Sequence, residues 1–277
     1  MEGLSPSVDP HSELMPHRHR IQFPPADAKN LAQDEVSFNL IEGERTVRIR
    51  FHDYDQIYMR AGLYEQVFYD RLKCSSPKKV AELLKRTVEA SDSNLSELRV
   101  LDLGAGNGMM GELMKAHGVA RLIGVDIIPE ARDACSRDRP GVYDEYYVAD
   151  FTALKPRLSE EISGWSVDCL TSVAALGFGD IPPEAFLNAL QFVSCGGWAA
   201  FNIKETFLDN SDESGFSRLI RELIFSEYLD LYHLERYRHR LSMEGTPLHY
   251  FAAVVQKTAE IPLDFLAERG IDTSALL

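Results

Sequence analysis

The segment VLDLGAGNG, residues 100–108 of this 277-residue chain, carries its clearest structural signal. Its apolar residues predict a buried strand, Arg99–Leu103, and a helix predicted over Gly108–Ala116 follows the glycines at once. Glycine at such a turn lets a ligand approach the backbone where a Cβ would clash. The first N–H groups of the helix and the positive end of its dipole suit a carboxylate. The stretch therefore predicts a ligand-binding turn between strand and helix.

Strands and helices alternate downstream of this turn. The predicted strands are residues 99–103, 121–126, 146–149, 167–173, 198–203, 233–241 and 248–256. The predicted helices are residues 108–116, 129–137, 183–193 and 215–228. Such alternation indicates an α/β fold, a doubly wound and mostly parallel sheet with helices on both faces. The last two strands are joined by the short turn Glu244–Pro247, so we expect a C-terminal antiparallel hairpin.

Acidic residues stand where two further strands end. The second strand ends in Asp126, whose carboxylate can accept bonds from both hydroxyls of a ribose. The third ends in Asp150-Phe151, a pair able to hydrogen-bond an adenine amino group and pack against its ring. Because ligands of such folds bind at the carboxyl ends of the strands, these residues predict a nucleoside site along one edge.

The glycine turn also admits a second interpretation. Gly106, Gly108 and Gly111 satisfy GxGxxG, the fingerprint of dinucleotide binding, which is weak evidence alone. Asp102 counts against it, since a carboxylate before the loop would repel a pyrophosphate but can accept bonds from an ammonium group. Asp150-Phe151 has no role in that interpretation. The residues therefore favour a cofactor with an amino-acid part.

These motifs resemble the class I S-adenosylmethionine-dependent methyltransferases, over Arg99–Trp198 and more weakly to Lys257. The resemblance implies a Rossmann-like methyltransferase fold of seven strands with S-adenosylmethionine as cofactor. It implies that the glycine loop wraps the methionine part, that Asp126 binds the ribose, and that the end of the fourth strand lines the methyl group. The cofactor contacts implied there are Asp102, Gly104, Ala105, Gly106, Gly108, Asp126, Ile127, Asp150, Phe151, Val173 and Ala174.

An aromatic segment precedes the fold, and we predict that it forms a helical lid. Tyr54 and Tyr58 are four residues apart and so share one helix face. We expect Tyr54 to take part in catalysis, and Tyr58 and Arg60 to contact the cofactor, although plain packing of the segment and an exposed arginine stay open. Tyr54-Asp55 is also similar to the lid of small-molecule members such as the Williams–Beuren syndrome methyltransferase-like proteins.

Two other sites are candidates for contact with the substrate. Lys204 and Glu205 follow the fifth strand at the ligand edge, and we expect them to be catalytic, with a solvated ion pair as the alternative. Arg236, Arg238 and Arg240 alternate along the next strand. They can bind an acidic substrate, but protection of a sheet edge is favoured.

Composition limits the possible partners. The chain has 29 Lys+Arg against 43 Asp+Glu, a net charge of −14, which disfavours binding to nucleic acid. No apolar run is long enough to span a membrane, and the first residues lack the order of a secretory signal. The 4 cysteines are scattered without the spacing of a metal site, so we expect reduced thiols, no bound metal and a cytoplasmic location.

We divide the chain into four parts and predict its activity from the third. Residues 1–45 are expected to be an unordered tail, 46–97 the helical lid, 98–260 the S-adenosylmethionine-binding domain and 261–277 a C-terminal tail. The sequence Val173–Leu176 lacks the motif typical of methyltransferases acting on bases in nucleic acid. A small-molecule acceptor is favoured. A protein side chain, or a cofactor-binding protein without transferase activity, stays open, as does the oligomeric state.

Overall fold

A computed structural model describes residues 18–24, 36–91, 93–176, 180–205 and 215–271 of the chain. The strands are β1 Arg20–Gln22, β2 Ser37–Glu42, β3 Arg45–Arg50, β4 Arg99–Leu103, β5 Arg121–Asp126, β6 Glu145–Val148, β7 Cys169–Ser172, β8 Trp198–Lys204, β9 Leu229–Leu241 and β10 Pro247–Lys257. The helices are α1 Tyr54–Tyr58, a π-helix Glu65–Arg71, α2 Ser76–Ala90, a 3-10 turn Leu95–Glu97, α3 Met109–Ala116, α4 Pro129–Asp138, α5 Pro156–Gly164, α6 Pro183–Gln191, α7 Phe216–Phe225 and α8 Phe265–Glu268.

The main sheet has seven strands in the order β6-β5-β4-β7-β8-β10-β9. The strands from β6 to β8 are parallel, and β10 runs antiparallel between β8 and β9. The predicted fold class and its C-terminal hairpin are confirmed. Because β4 lies between β5 and β7, the glycine turn that follows β4 stands at the middle of the ligand edge.

Both faces of this sheet are buried. Along β8, Ala199 and Phe201 belong to one apolar core, and Trp198 and Ala200 to the other. Helices α2 and α3 cover the second core, while α5, α6 and α7 cover the first. A central strand that is apolar on both sides is what a doubly wound sheet requires. Helix α5 was not predicted from the sequence.

The N-terminal part contains a second sheet, which corrects two expected boundaries. Strands β1, β2 and β3 form an antiparallel sheet. Its residues Phe38 and Leu40 of β2 and Ile49 of β3 are fully buried. The prediction of an unordered tail is therefore wrong for residues 20–22 and 37–42, and the rest of that tail, 1–17 and 25–35, lies outside the described residues. The predicted lid is part sheet, and α2 packs on β8 and β10 of the main sheet instead.

We call residues 36–71, which comprise β2, β3, α1 and the π-helix, the roof.

The described end of the predicted C-terminal tail is likewise structured. Ile261, Phe265 and Ile271 are buried in the core beside α7, so the prediction of a plain tail is wrong for these residues. Residues 272–277 lie outside the described part of the chain. Single apolar residues in a short polar segment give no periodic signal, which is why the sequence did not reveal them.

Candidate functional site

A cavity of about 260 Å3 opens between the carboxyl ends of the parallel strands and the roof. The predicted cofactor residues that line it are Gly104, Ala105, Gly106, Asp126, Ile127, Asp150, Phe151, Val173, Ala174 and Tyr58. These come from the ends of four different strands and from α1, so the chain fold brings distant motifs to one place. The remaining three predicted cofactor contacts, Asp102, Gly108 and Arg60, do not line it.

The glycine loop forms a cradle that leaves no room for side chains. Gly104 and Gly106 have φ angles of +74° and +53°, in the left-handed region. A Cβ on Gly104 would lie 2.8 Å from the Ala175 Cβ, and one on Gly106 would lie 2.5 Å from the Tyr58 hydroxyl. The cavity therefore depends on glycine at both positions.

The Asp126 carboxylate is fixed by backbone donors at the end of β5. The amide of Gly106 donates to its Oδ2 at 2.9 Å, and the amide of Ile128 donates to its Oδ1 at 3.0 Å. Burial raises the pKa of Asp126, while these backbone bonds oppose the shift. Since each carboxylate oxygen has a further lone pair, the group can still accept hydrogen bonds from the hydroxyl groups of a ligand in the cavity.

Asp102 lies beneath the loop rather than in the cavity. It is 1% exposed, and its two oxygens accept bonds from the hydroxyls of Thr171 and Tyr143, each at 2.6 Å. Gly108 also has a structural role: it precedes α3, and a Cβ there would lie 3.0 Å from the Cys135 sulfur. The expected contact of these two residues with the cofactor has no support in the geometry, because the Asp102 side chain points into the fold and Gly108 lies at the start of α3 outside the cavity lining.

Burial of Asp102 predicts a pH-dependent stability. Desolvation raises its pKa from 3.8 to about 6, so the folded state holds a proton that the unfolded chain releases. The free energy of unfolding should therefore fall as pH rises from about 4 to about 6. Above that range, the ionised Asp102 should lower the free energy of unfolding by about 2–3 kcal/mol. Asp102→Asn should remove this slope in urea unfolding between about pH 4 and 6. An equal slope in both proteins would contradict the assignment.

The other polar candidates are engaged elsewhere. Arg60 donates to Glu42 at 2.8 Å on the outside of the roof. Glu205 is exposed and forms an ion pair with Arg236 at 2.7 Å, and Lys204 does not line the cavity. The catalytic role expected of Lys204 and Glu205 and the cofactor contact expected of Arg60 therefore have no support in the geometry. A strand end fixes a residue's position but not the direction of a long side chain.

The roof contacts the glycine loop directly. The ring of Tyr58 stacks on that of Tyr54 with centroids 5.9 Å apart and contacts that of Tyr64 in a tilted arrangement at 5.1 Å. Glu65, the first residue of the π-helix, accepts a bond from Asn107 of the glycine loop at 2.7 Å and pairs with Arg139 at 2.8 Å. A change in the glycine loop can therefore be transmitted to the roof.

A histidine and an aspartate that the sequence did not single out as a pair contact each other in the wall of the cavity. His52 Nδ1 lies 3.0 Å from Asp180 Oδ1, and both residues line the cavity. An ionised carboxylate only accepts, so Nδ1 carries the proton and Nε2 is the basic atom of the ring. Tyr54 lies beside them, and burial raises the pKa of its hydroxyl well above the usual value of 10, so this hydroxyl stays protonated at physiological pH.

The backbone at Ala174 is strained where β7 meets the cavity. Its φ of +59° is rare for a residue with a Cβ, and its amide donates to the buried Asn202 side chain at 2.7 Å. Such strain is concentrated at functional sites. Among the described residues, no group of His, Cys, Asp and Glu is arranged to hold a metal ion, and no helix there has the length and apolarity to cross a membrane.

Comparisons with known proteins agree with this arrangement. Residues 74–244 match a family model described as a methyltransferase domain. No curated protein matches the chain in sequence. The N-methyltransferase NodS from Bradyrhizobium japonicum, solved with S-adenosylhomocysteine, is 14% identical with a TM-score of 0.53, covering 76% of this chain and 98% of that one. The magnesium protoporphyrin IX methyltransferase of Synechocystis, solved with S-adenosylmethionine, is 12% identical with a TM-score of 0.46, covering 66% and 79%.

Proposed function

Because this chain belongs to the methyltransferase domain family and is a class I S-adenosylmethionine-dependent enzyme, we propose that it methylates a small molecule in the cavity beneath the roof. The observation that carries the proposal is the roof itself. It places aromatic side chains and the His52–Asp180 pair against the same cavity that the glycine loop lines. A site built in this way places polar and aromatic side chains of the roof opposite the glycine loop, where an acceptor would meet the cofactor.

The residues present fit the cofactor. Gly104 to Asn107 would hold its methionine part, since a Cβ would fill that space at both glycines. Asp126 would accept the ribose hydroxyls, and Phe151 and Ile127 would pack against the adenine. When bound, S-adenosylmethionine supplies a methyl group activated on a sulfonium. The protein's part is therefore to orient the acceptor, exclude water and manage a proton.

We propose that His52 accepts the proton that leaves the acceptor during methyl transfer. With Nδ1–H donated to Asp180, the ring presents Nε2 as a base, and the carboxylate stabilises the imidazolium that forms. Tyr54 would orient the acceptor by donating its hydroxyl proton in a hydrogen bond. The roof excludes water, because Tyr54, Tyr58 and Tyr64 cover the side of the cavity away from the sheet. This arrangement suits an O–H, N–H or S–H acceptor whose proton must leave.

Charge and cysteine usage support two further parts of the proposal. A net charge of −14 disfavours nucleic acid as the acceptor. None of Cys74, Cys135, Cys169 and Cys195 forms a disulfide, which supports a cytoplasmic location. A small molecule is favoured over a protein side chain because the candidate base lies inside the roofed cavity rather than on a surface strand.

Substitution of Asp126 tests the proposed cofactor site. Hydrogen bonds to a charged group contribute about 1.5–3 kcal/mol, so Asp126→Ala should raise the Kd for S-adenosylhomocysteine about tenfold to a hundredfold in calorimetry. Asp126→Asn keeps the shape and the bond from the Gly106 amide, and should show a smaller loss. Thermal unfolding of each variant is the control for folding. A loss of less than about twofold in Asp126→Ala would show that the ribose lies elsewhere.

A further inference from the structure

A second, smaller cavity of about 40 Å3 adjoins the first on the side away from the glycine loop. The residues that line both cavities are His52, Tyr54, Tyr64, Ala174 and Asp180. The smaller cavity is therefore a direct neighbour of the larger one, and the candidate base His52 lies where the two meet. Its far wall is formed by residues from the main sheet, including Arg240 of β9 and Tyr250 of β10.

Arg240 is a buried cation at this wall. The residue is 7% exposed, its guanidinium lies 5.5 Å from the centre of the Phe51 ring, and its Nη1 donates to the Leu241 carbonyl at 3.0 Å. It forms no ion pair with any carboxylate among the described residues. By contrast, the exposed Arg236 on the same strand is paired with Glu205 at 2.7 Å.

This combination of burial and missing counter-charge is unusual. A charge removed from water is costly unless an opposite charge and hydrogen bonds compensate it, so buried arginines are as a rule paired. One ring face and one carbonyl leave most of the five N–H donors of a guanidinium for another group. The cavity that Arg240 lines is the place from which such a group can reach it.

The surroundings of Arg240 also limit the charge of that group. The other basic side chains that line the smaller cavity are His52, which faces Asp180, and His239. Burial lowers the pKa of His239 to about 3, so this ring is neutral at physiological pH. A single guanidinium with aromatic neighbours suits one negative charge in a flat group, and a carboxylate matches its planar fork.

We propose that the smaller cavity is the acceptor's anion subsite, and that the acceptor is a small carboxylic acid whose carboxylate pairs with Arg240 while its nucleophilic atom faces His52. This rests on the proposed function, since it names the substrate class of the same site. The favoured role of the arginines on β9 as edge protection then holds for the exposed Arg236 and Arg238, whereas Arg240 points inward.

The test uses benzoate as probe, with benzamide as its uncharged counterpart and phenyl phosphate as the bulkier anion. Binding to the full chain saturated with S-adenosylhomocysteine is followed by ligand-observed NMR. Wild-type protein should bind benzoate about tenfold or more tightly than benzamide, and Arg240→Gln should lose that preference while benzamide binding stays unchanged. Arg240→Lys should keep part of it, and Arg236→Gln is the matched control on the same strand and should behave as wild type.

The outcomes separate this inference from the proposed function. Failure of the wild-type protein to bind S-adenosylhomocysteine would contradict the proposed function. If S-adenosylhomocysteine binds but benzoate does not bind, or binds Arg240→Gln as well as wild type, only the anion subsite is wrong. If the protein prefers phenyl phosphate to benzoate and this preference depends on Arg240, the proposal of a carboxylic acid is wrong and the acceptor's anionic group is a phosphate. Thermal unfolding shows whether Arg240→Gln is folded. If it is not, the same binding experiment is made with Arg240→Lys, which should show a reduced preference for benzoate over benzamide.

Discussion

Gly106→Val should abolish measurable binding of S-adenosylmethionine, with a Kd raised by about a hundredfold or more. The new side chain would begin 2.5 Å from the Tyr58 hydroxyl and project into the space between the loop and the roof. It would also strain a backbone held at φ +53° and disturb the amide that donates to Asp126 at 2.9 Å. Calorimetry with S-adenosylhomocysteine measures the loss.

Gly118→Val is the matched control for this substitution. Gly118 has a similar left-handed φ of +78°, but no atom lies within 4 Å of a Cβ placed there. The backbone strain is therefore comparable, whereas the cofactor cradle is untouched. We expect Gly118→Val to lose stability but to keep its affinity. Equal affinity losses in the two variants, or none in Gly106→Val, would show that the loop does not hold the cofactor.

His52→Ala should lower methyl transfer by about a hundredfold or more without changing the affinity for S-adenosylhomocysteine, since a general base contributes about 10²–10⁴ to rate. The expectation follows from the 3.0 Å contact with Asp180, which fixes the imidazole in the cavity with Nε2 as its basic atom. The assay is release of S-adenosylhomocysteine with an acceptor found by screening small carboxylic acids.

Two control variants define how His52 acts. Asp180→Asn keeps the shape of the pair but removes the charge that stabilises the imidazolium, so we expect an intermediate loss of rate. Tyr54→Phe removes a donor beside the pair and should raise KM more than it lowers kcat. If His52→Ala transfers methyl groups at the wild-type rate, the acceptor loses its proton to water or to another group, and His52 has only a packing role.

The meeting of the glycine loop, Asp126 and Phe151 at one cavity could be predicted from the sequence because their signals are local. Gly104, Gly106, Asp126 and Phe151 each follow an apolar strand, and the topology of a parallel sheet brings strand ends together. Asp102 shows the limit of that reasoning. It shares the same strand end, yet its side chain points into the fold and accepts bonds from Thr171 and Tyr143.

The His52–Asp180 pair and the inward position of Arg240 could not be predicted, because these residues meet only in the tertiary structure. His52 follows β3, Asp180 lies between β7 and α6, and Arg240 lies near the end of β9, whose alternating arginines favoured a solvent-exposed edge. The β-sheet of the roof was missed for a related reason. Strands β2 and β3 are each only six residues long and pair with each other and with β1, so they give little periodic signal alone.

The central claim is that one cofactor molecule binds between the glycine loop and the roof. Hydrogen exchange of the full chain with and without S-adenosylhomocysteine tests it most directly, because it reports on both walls at once. We predict slower exchange in residues 101–111 and also in 51–69, since Tyr58 and Glu65 contact the loop in this structure. Protection confined to the glycine loop, with residues 51–69 exchanging as before, would contradict the claim.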